Sequence, residues 1–157
     1  MRKTFRVSDL AVGDWVKVSG EPARVLLLGI AGRNKAKGLS GQIYGFLTTT
    51  EIEPIPITPE ILKKNEVYVR WLCVDADPIG ALFKDDETYH TKCEKFYKCS
   101  DFVIHSTLRG ERYGRWQFAT NDERRGFKGR TVLANINYVH ELQQALRLAG
   151  INKEIVL

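Results

Sequence analysis

The chain has 157 residues, 43% of them apolar and 27% charged, a globular composition that excludes a disordered or fibrous class. One domain of this length buries roughly two thirds of its unfolded surface without staples. The formal charge of +5, with a pI near 9.2, permits phosphate contact without requiring it. No apolar run approaches the roughly 20 residues of a spanning helix, and Arg6 and Asp9 interrupt the first apolar stretch. The expectation is therefore a cytoplasmic protein with no signal peptide and no membrane partner. Cys73, Cys93 and Cys99 are an odd set without a secretory signal, which reads as reduced thiols.

In chain order, residues 14–28 predict a β-hairpin: Trp15 to Val18, a turn cluster Ser19-Gly20-Glu21-Pro22, and a second strand Ala23 to Leu28. Such a start is common in small SH3-like barrels, a fold-level analogy only. Gly29 to Gln42 holds four glycines and three basic residues, Arg33, Lys35 and Lys37, and reads as a solvated basic loop. It is not a P-loop, because no Gly-Lys-Ser/Thr closes it and no helix N-terminus follows to face an anion.

Ile43 to Thr48 reads as a third strand. Pro54, Pro56 and Pro59 forbid a regular central strand or helix between them, and Thr58 stands as N-cap before a proline at the first helical position. A short helix over 59–65 follows. Val67 to Val74 and Ile79 to Phe83 predict strands about an Asp75 to Pro78 turn, with further strands at Phe102 to His105, Gly114 to Phe118 and Thr131 to Ala134.

The closing helix, 138–149, carries the clearest pattern. Val139, Leu142, Leu146 and Ala149 recur at spacings of three and four, an apolar stripe on one face. Asn135 or Asn137 can supply the N-cap oxygen, Glu141 and Arg147 complement the helix dipole, and Gly150 suits the left-handed position past the end. The order of elements predicts an α+β class: a single β-rich domain, 1–157, with an antiparallel, barrel-like or strongly curved sheet, one short helix, and an amphipathic C-terminal helix packed on the sheet.

Three segments carry a resemblance. Ser8-Asp9-Leu10 with Val12-Gly13-Asp14-Trp15-Val16, then Glu53 to Leu62 (EPIPITPEIL), then Tyr138 to Ile155 (YVHELQQALRLAGINKEI) occur in that order over about a third of the chain. Together they resemble the signatures of a family of small uncharacterised proteins of Bacteroidetes and their phages and mobile elements. The resemblance implies an accessory protein of phage or mobile-element type and transfers no catalytic residue.

Several constellations could carry chemistry. His140-Glu141 opens like a zincin helix, but Gln144 stands where the second zinc ligand belongs, so His140 and Glu141 are expected in cap or surface contacts. His90, Cys93, Cys99 and His105 are the nearest approach to a metal set, with spacings too wide for tight knuckles. No metal and no cofactor are assigned. Asp75, Asp77 and Asp85-Asp86-Glu87 read as turn carboxylates.

The sharpest functional hint is the window 109–130, with seven basic residues against three acidic ones, a net charge of +4. Arg109, Arg112, Arg115, Arg124, Arg125, Lys128 and Arg130 are interleaved with Tyr113, Trp116 and Phe127. Guanidinium groups pair with phosphate and rings stack on bases, so this set forms the nucleic-acid-binding expectation. Against it stands a β-hairpin with Trp116 and Phe118 packed inward and the arginines solvated. Two function classes follow: a non-enzymatic binding protein contacting nucleic acid, or a protein-interaction module or homodimer using the helix or a sheet edge.

Overall fold

The computed structural model describes residues 5–29, 33–73, 83–84, 93–105, 116–120 and 132–157. It is an α+β domain dominated by antiparallel strands, as the sequence predicts. Five strands, β1 (Trp15–Val18), β2 (Glu21–Leu27), β3 (Asn34–Gly38), β4 (Ile43–Leu47) and β5 (Ile52–Pro54), form a sheet in the order β4-β3-β2-β1-β5. The others, β6 (Tyr68–Cys73), β7 (Phe83–Lys84), β8 (Cys93–Lys98), β9 (Phe102–His105), β10 (Trp116–Thr120) and β11 (Val132–Ile136), form a second sheet in the order β11-β10-β9-β8-β6-β7.

The first hairpin turns on two residues only. Val18 pairs with Glu21, and Ser19 and Gly20 take φ values of 52° and 80°, the left-handed pair that matches strand twist. Glu21 and Pro22 therefore belong to β2, not to the turn expected for them. Irregular registers between Val25 and Leu27 and between Asn34 and Ala36 are bulges that bend the ribbon. The sheet curls around a small core containing Val16, Val18, Val25 and Ile52.

Gly29 to Gln42 is where the expectation fails. Instead of a loop it contains β3, whose sequence NKAKG alternates buried and exposed residues. Low intrinsic strand preference is overridden because β3 is laddered on both sides, to β2 and to β4. The strands β5 and β8 are likewise additions to the sequence reading. Asn34 fixes the register, its buried amide donating to the Leu47 carbonyl at 2.9 Å while its oxygen accepts the Gly29 N–H at 3.3 Å. A Cβ on Gly29 would lie 2.6 Å from the Arg33 carbonyl oxygen, so only glycine permits this close approach.

The two sheets meet at their edges. Past β5 and β11 the chain segments run antiparallel, with Pro56 opposite Tyr138, the Ile57 N–H on the Asn137 carbonyl at 3.1 Å and the Val139 N–H on the Ile55 carbonyl at 2.9 Å. Two helices complete the domain. In α1 (Pro59–Lys64) the Thr58 hydroxyl accepts the Ile61 N–H at 3.3 Å, with Pro59 at the first helical position. In α2 (Val139–Leu148) the N-cap is Tyr138, one to three residues later than the asparagines proposed for it. Glu141 satisfies that terminus by reaching back to the N–H groups of Asn137 (2.7 Å) and Tyr138 (3.2 Å).

The end of α2 is a Schellman motif: Gly150 has φ 70°, its N–H meets the Arg147 carbonyl, and the Ile151 N–H meets the Leu146 carbonyl. The stripe is buried as predicted, and Val139, Leu142 and Leu146 join Trp116, Phe118 and Ile136 of the second sheet in the larger core. Among the described residues no helix is long and apolar enough to cross a membrane.

Candidate binding surface

The first and last of the three segments that carry the sequence resemblance meet in one polar latch. Asp14, fully buried, accepts the Ala11 N–H (2.8 Å) and the Gln144 amide (2.8 Å), and forms an ion pair with Arg147. Gln144 also donates to the Asp9 carbonyl at 2.6 Å. The neighbouring Gln143 accepts the Trp15 N–H at 2.8 Å and donates to the Gly13 carbonyl at 3.2 Å. The middle segment adds its backbone pairing to Asn137 and Val139. These polar side chains bind one another and the backbone, so none of them is left unpaired in the interior.

His140 is part of the same region and departs from the surface role expected of it. It is buried, its ring stacked on Tyr138 at 5.7 Å and met edge-on by Phe5 at 5.5 Å. One helical turn on, Gln144 is bound to Asp14, so no zincin-like pair exists on α2.

The described members of the proposed metal set do not converge. In β8, Cys93 stands opposite Cys73 at one end of the ladder, while Cys99 lies just past the other end, six residues on. At about 3.3 Å per residue the separation is roughly 20 Å, far beyond a shared coordination sphere. His105 pairs with Phe96 midway, its ring stacked on that phenyl at 4.7 Å. Cys99 is a free thiol whose sulfur approaches the Phe102 carbonyl at 3.7 Å. His90 lies outside the described residues, as do Asp75, Asp77, Asp85, Asp86 and Glu87.

Of the ten residues named in the basic-aromatic window, only Trp116 is described. Trp116 is 1% exposed and meets Tyr97 edge-on at 5.2 Å, and Phe118 is buried beside Phe102. Trp116 is therefore a core residue and cannot present its ring to a base, whereas Gln117 between them is exposed. Arg109, Arg112, Tyr113, Arg115, Arg124, Arg125, Phe127, Lys128 and Arg130 lie outside the described residues. β10 itself is antiparallel to both β9 and β11.

A cationic face that the sequence reading took for loop is described in full. Arg33, Lys35 and Lys37 are exposed while Asn34, Ala36 and Gly38 are buried, so Lys35 and Lys37 lie on the outer side of β3 and Arg33 stands exposed just before its first residue. Lys35 stands opposite Leu27, and Lys37 stands between Arg24 and Ile43. Arg24 is occupied, its guanidinium 4.5 Å from the Trp15 ring centre and paired with Glu154. Glu21 turns to the inner side, its carboxylate accepting the Tyr44 hydroxyl (2.6 Å) and the Ser40 N–H (2.8 Å) and lying where a Gly38 Cβ would be. Those two donors, the phenol first, hold the Glu21 carboxyl below its usual range, and the bond to Glu21 pushes the Tyr44 phenol up.

Phe46, in the bulge between the Asn34–Leu47 and Ala36–Tyr44 pairs, has φ 57° and is 74% exposed. Ile43 is 63% exposed on the same strand. The alternation of exposure was the readable signal for this face, but Asn-Lys-Ala-Lys-Gly shows it only once β3 is recognised as a strand. Neither the protein-family models, the curated proteins nor the solved structures contain a match to this chain.

Proposed function

We propose that this protein is a non-enzymatic accessory protein, of the phage or mobile-element type that its signatures resemble, and that it contacts nucleic acid through basic and aromatic residues. The observation that carries the reading is the row Arg33, Lys35 and Lys37, exposed at the start and along the outer face of a strand with apolar side chains beside it. A row of cations that, among the described residues, forms no ion pair attracts phosphate over a distance set by the salt concentration. The arginine-rich connections on either side of β10 add seven basic residues at 109–130. The latch side chains Asp14, Gln143 and Gln144 are consumed by internal hydrogen bonds.

The test is oligonucleotide binding as a function of salt. Phosphate contacts release counterions, so affinity should fall steeply and log-linearly as salt rises. Replacing Arg112, Arg115, Arg124 and Arg125 by Ala should flatten that dependence by about one unit per lost duplex contact. A second reading, an interaction module or homodimer, draws on β4, which is the free edge of its sheet with Ile43 and Phe46 exposed. Sedimentation of the parent and of Ile43→Lys separates the two: a dimer through this edge dissociates in the variant, and a nucleic-acid contact leaves a monomer throughout.

A further inference from the structure

We propose that the outer face of β2, β3 and β4 is a binding site for single-stranded nucleic acid, with Arg33, Lys35 and Lys37 on successive phosphates and Phe46 as the stacking platform for a base. The proposal rests on the nucleic-acid reading above and goes beyond it by naming the face and the strandedness of the ligand.

Three features of the strand make the row usable. Alternate residues of a strand repeat every 6.8 Å or so on one face, a step comparable to that between successive phosphates of an extended single strand. The register cannot slip, because Asn34 is latched to Leu47 and Gly29 from the buried side, and a one-residue slip would turn both lysines inward. Among the described residues none of the three forms an ion pair; Glu21 is bound to Ser40 and Tyr44 on the other side of the sheet, and Glu154 is held by Arg24, the residue opposite Lys37.

Phe46 supplies what a simple electrostatic patch lacks. Its left-handed backbone at φ 57° within the bulge is unfavourable for a residue with a Cβ, and the result is a phenyl ring left in solvent. A ring beside aligned cations is the arrangement that binds unpaired bases, since every base has a face to stack and a duplex hides those faces. The same bulge argues against a peptide adding itself as a further strand. Gly45 and Phe46 break the regular ladder along β4, and lysine near an edge opposes strand addition.

The experiment uses the full chain, fluorescence polarisation with labelled oligothymidylate of about 20 nucleotides, a mixed-sequence duplex of equal length, and a poly-glutamate peptide as the acidic-polymer probe. The expected result is preference for the single strand, a salt slope lowered by roughly 1.4 in Lys35→Gln/Lys37→Gln at about 0.7 per phosphate contact, and a loss of tenfold or more in Phe46→Ala with the slope kept. Phe46→Leu, which keeps an apolar side chain but no ring, should lose comparably, and all variants should melt like the parent.

If the oligonucleotides bind and these variants behave as the parent, while the arginine variants at 109–130 lose affinity, this site is overturned and the general reading stands. Duplex bound as tightly as single strand, with Phe46→Ala silent, overturns the stacking assignment. Poly-glutamate binding that needs the lysines but not the ring identifies an acidic peptide face and also overturns the proposal. No binding of any oligonucleotide by folded parent at low salt removes both this site and the nucleic-acid reading.

Discussion

The indole N–H of Trp15 donates to the carbonyl of Ile155 at 2.7 Å, a contact that spans 140 residues and ties the first strand to the C-terminal segment. Trp15 and Val16 divide the molecule between them: the first faces the larger core, the second the curled sheet. Their opposite orientation is the period of a strand, and it makes β1 the wall between the two cores. The segment beyond α2 is held elsewhere too, with Ile155 buried and both backbone groups of Val156 bound by the Asn65 side chain at 2.7 and 2.8 Å.

Trp15→Phe keeps an aromatic ring but removes that donor together with part of the buried indole, leaving the Ile155 carbonyl without its partner. The expected cost is about 1–3 kcal/mol in urea denaturation. An unchanged midpoint would mean that water or another donor replaces the indole.

Gln143 is short of nothing by composition, yet its amide closes two backbone groups of the first hairpin. Gln143→Ala should destabilise by about 1–3 kcal/mol, because the buried Trp15 N–H loses its acceptor. Gln117→Ala, at an exposed strand position, should stay within about 0.5 kcal/mol. Equal effects at the two positions would contradict the latch.

The apolar stripe of α2 is a core face. Leu142→Ala and Leu146→Ala should each cost about 2–5 kcal/mol, whereas Leu148, which is 90% exposed, should tolerate alanine with a change of about 0.5 kcal/mol or less. Near-neutral melting temperatures for Leu142 and Leu146 would instead identify the stripe as a partner surface.

Glu21 and Tyr44 make a pH-dependent pair. The Glu21 carboxyl titrates below its ordinary 4.5 chiefly because Tyr44 donates to it, so its contribution is fully present above the unfolded value. It is lost as pH falls through that value towards the lower folded one. Tyr44→Phe removes the largest cause, and the carboxyl resonance of Glu21 should then titrate closer to 4.5. The converse holds for the phenol, whose raised value favours the fold until pH climbs past its ordinary 10.0. A Glu21 titration identical in parent and variant would show that Ser40 alone holds the carboxylate.

By itself the sequence determined the elements whose signals are local. The stripe, the glycine past its end and the length of α2 are all encoded within one segment, as are the Thr58-Pro59 start of α1 and the first hairpin, because caps, periodicity and turn residues act over a few positions. Tertiary structure decided the rest. Asn34 to Gly38 has no strand preference of its own and becomes β3 only through ladders to β2 and β4, which align Lys35 and Lys37 on one face. Trp116 reads either as a base platform or as an inward-packed ring, and its burial against Tyr97, 19 positions away in the chain, makes it core. The latch joins Asp14 to Gln144 and Arg147 across more than 120 residues; hydrogen bonds and ladders between distant segments depend on register and packing, which no local pattern encodes.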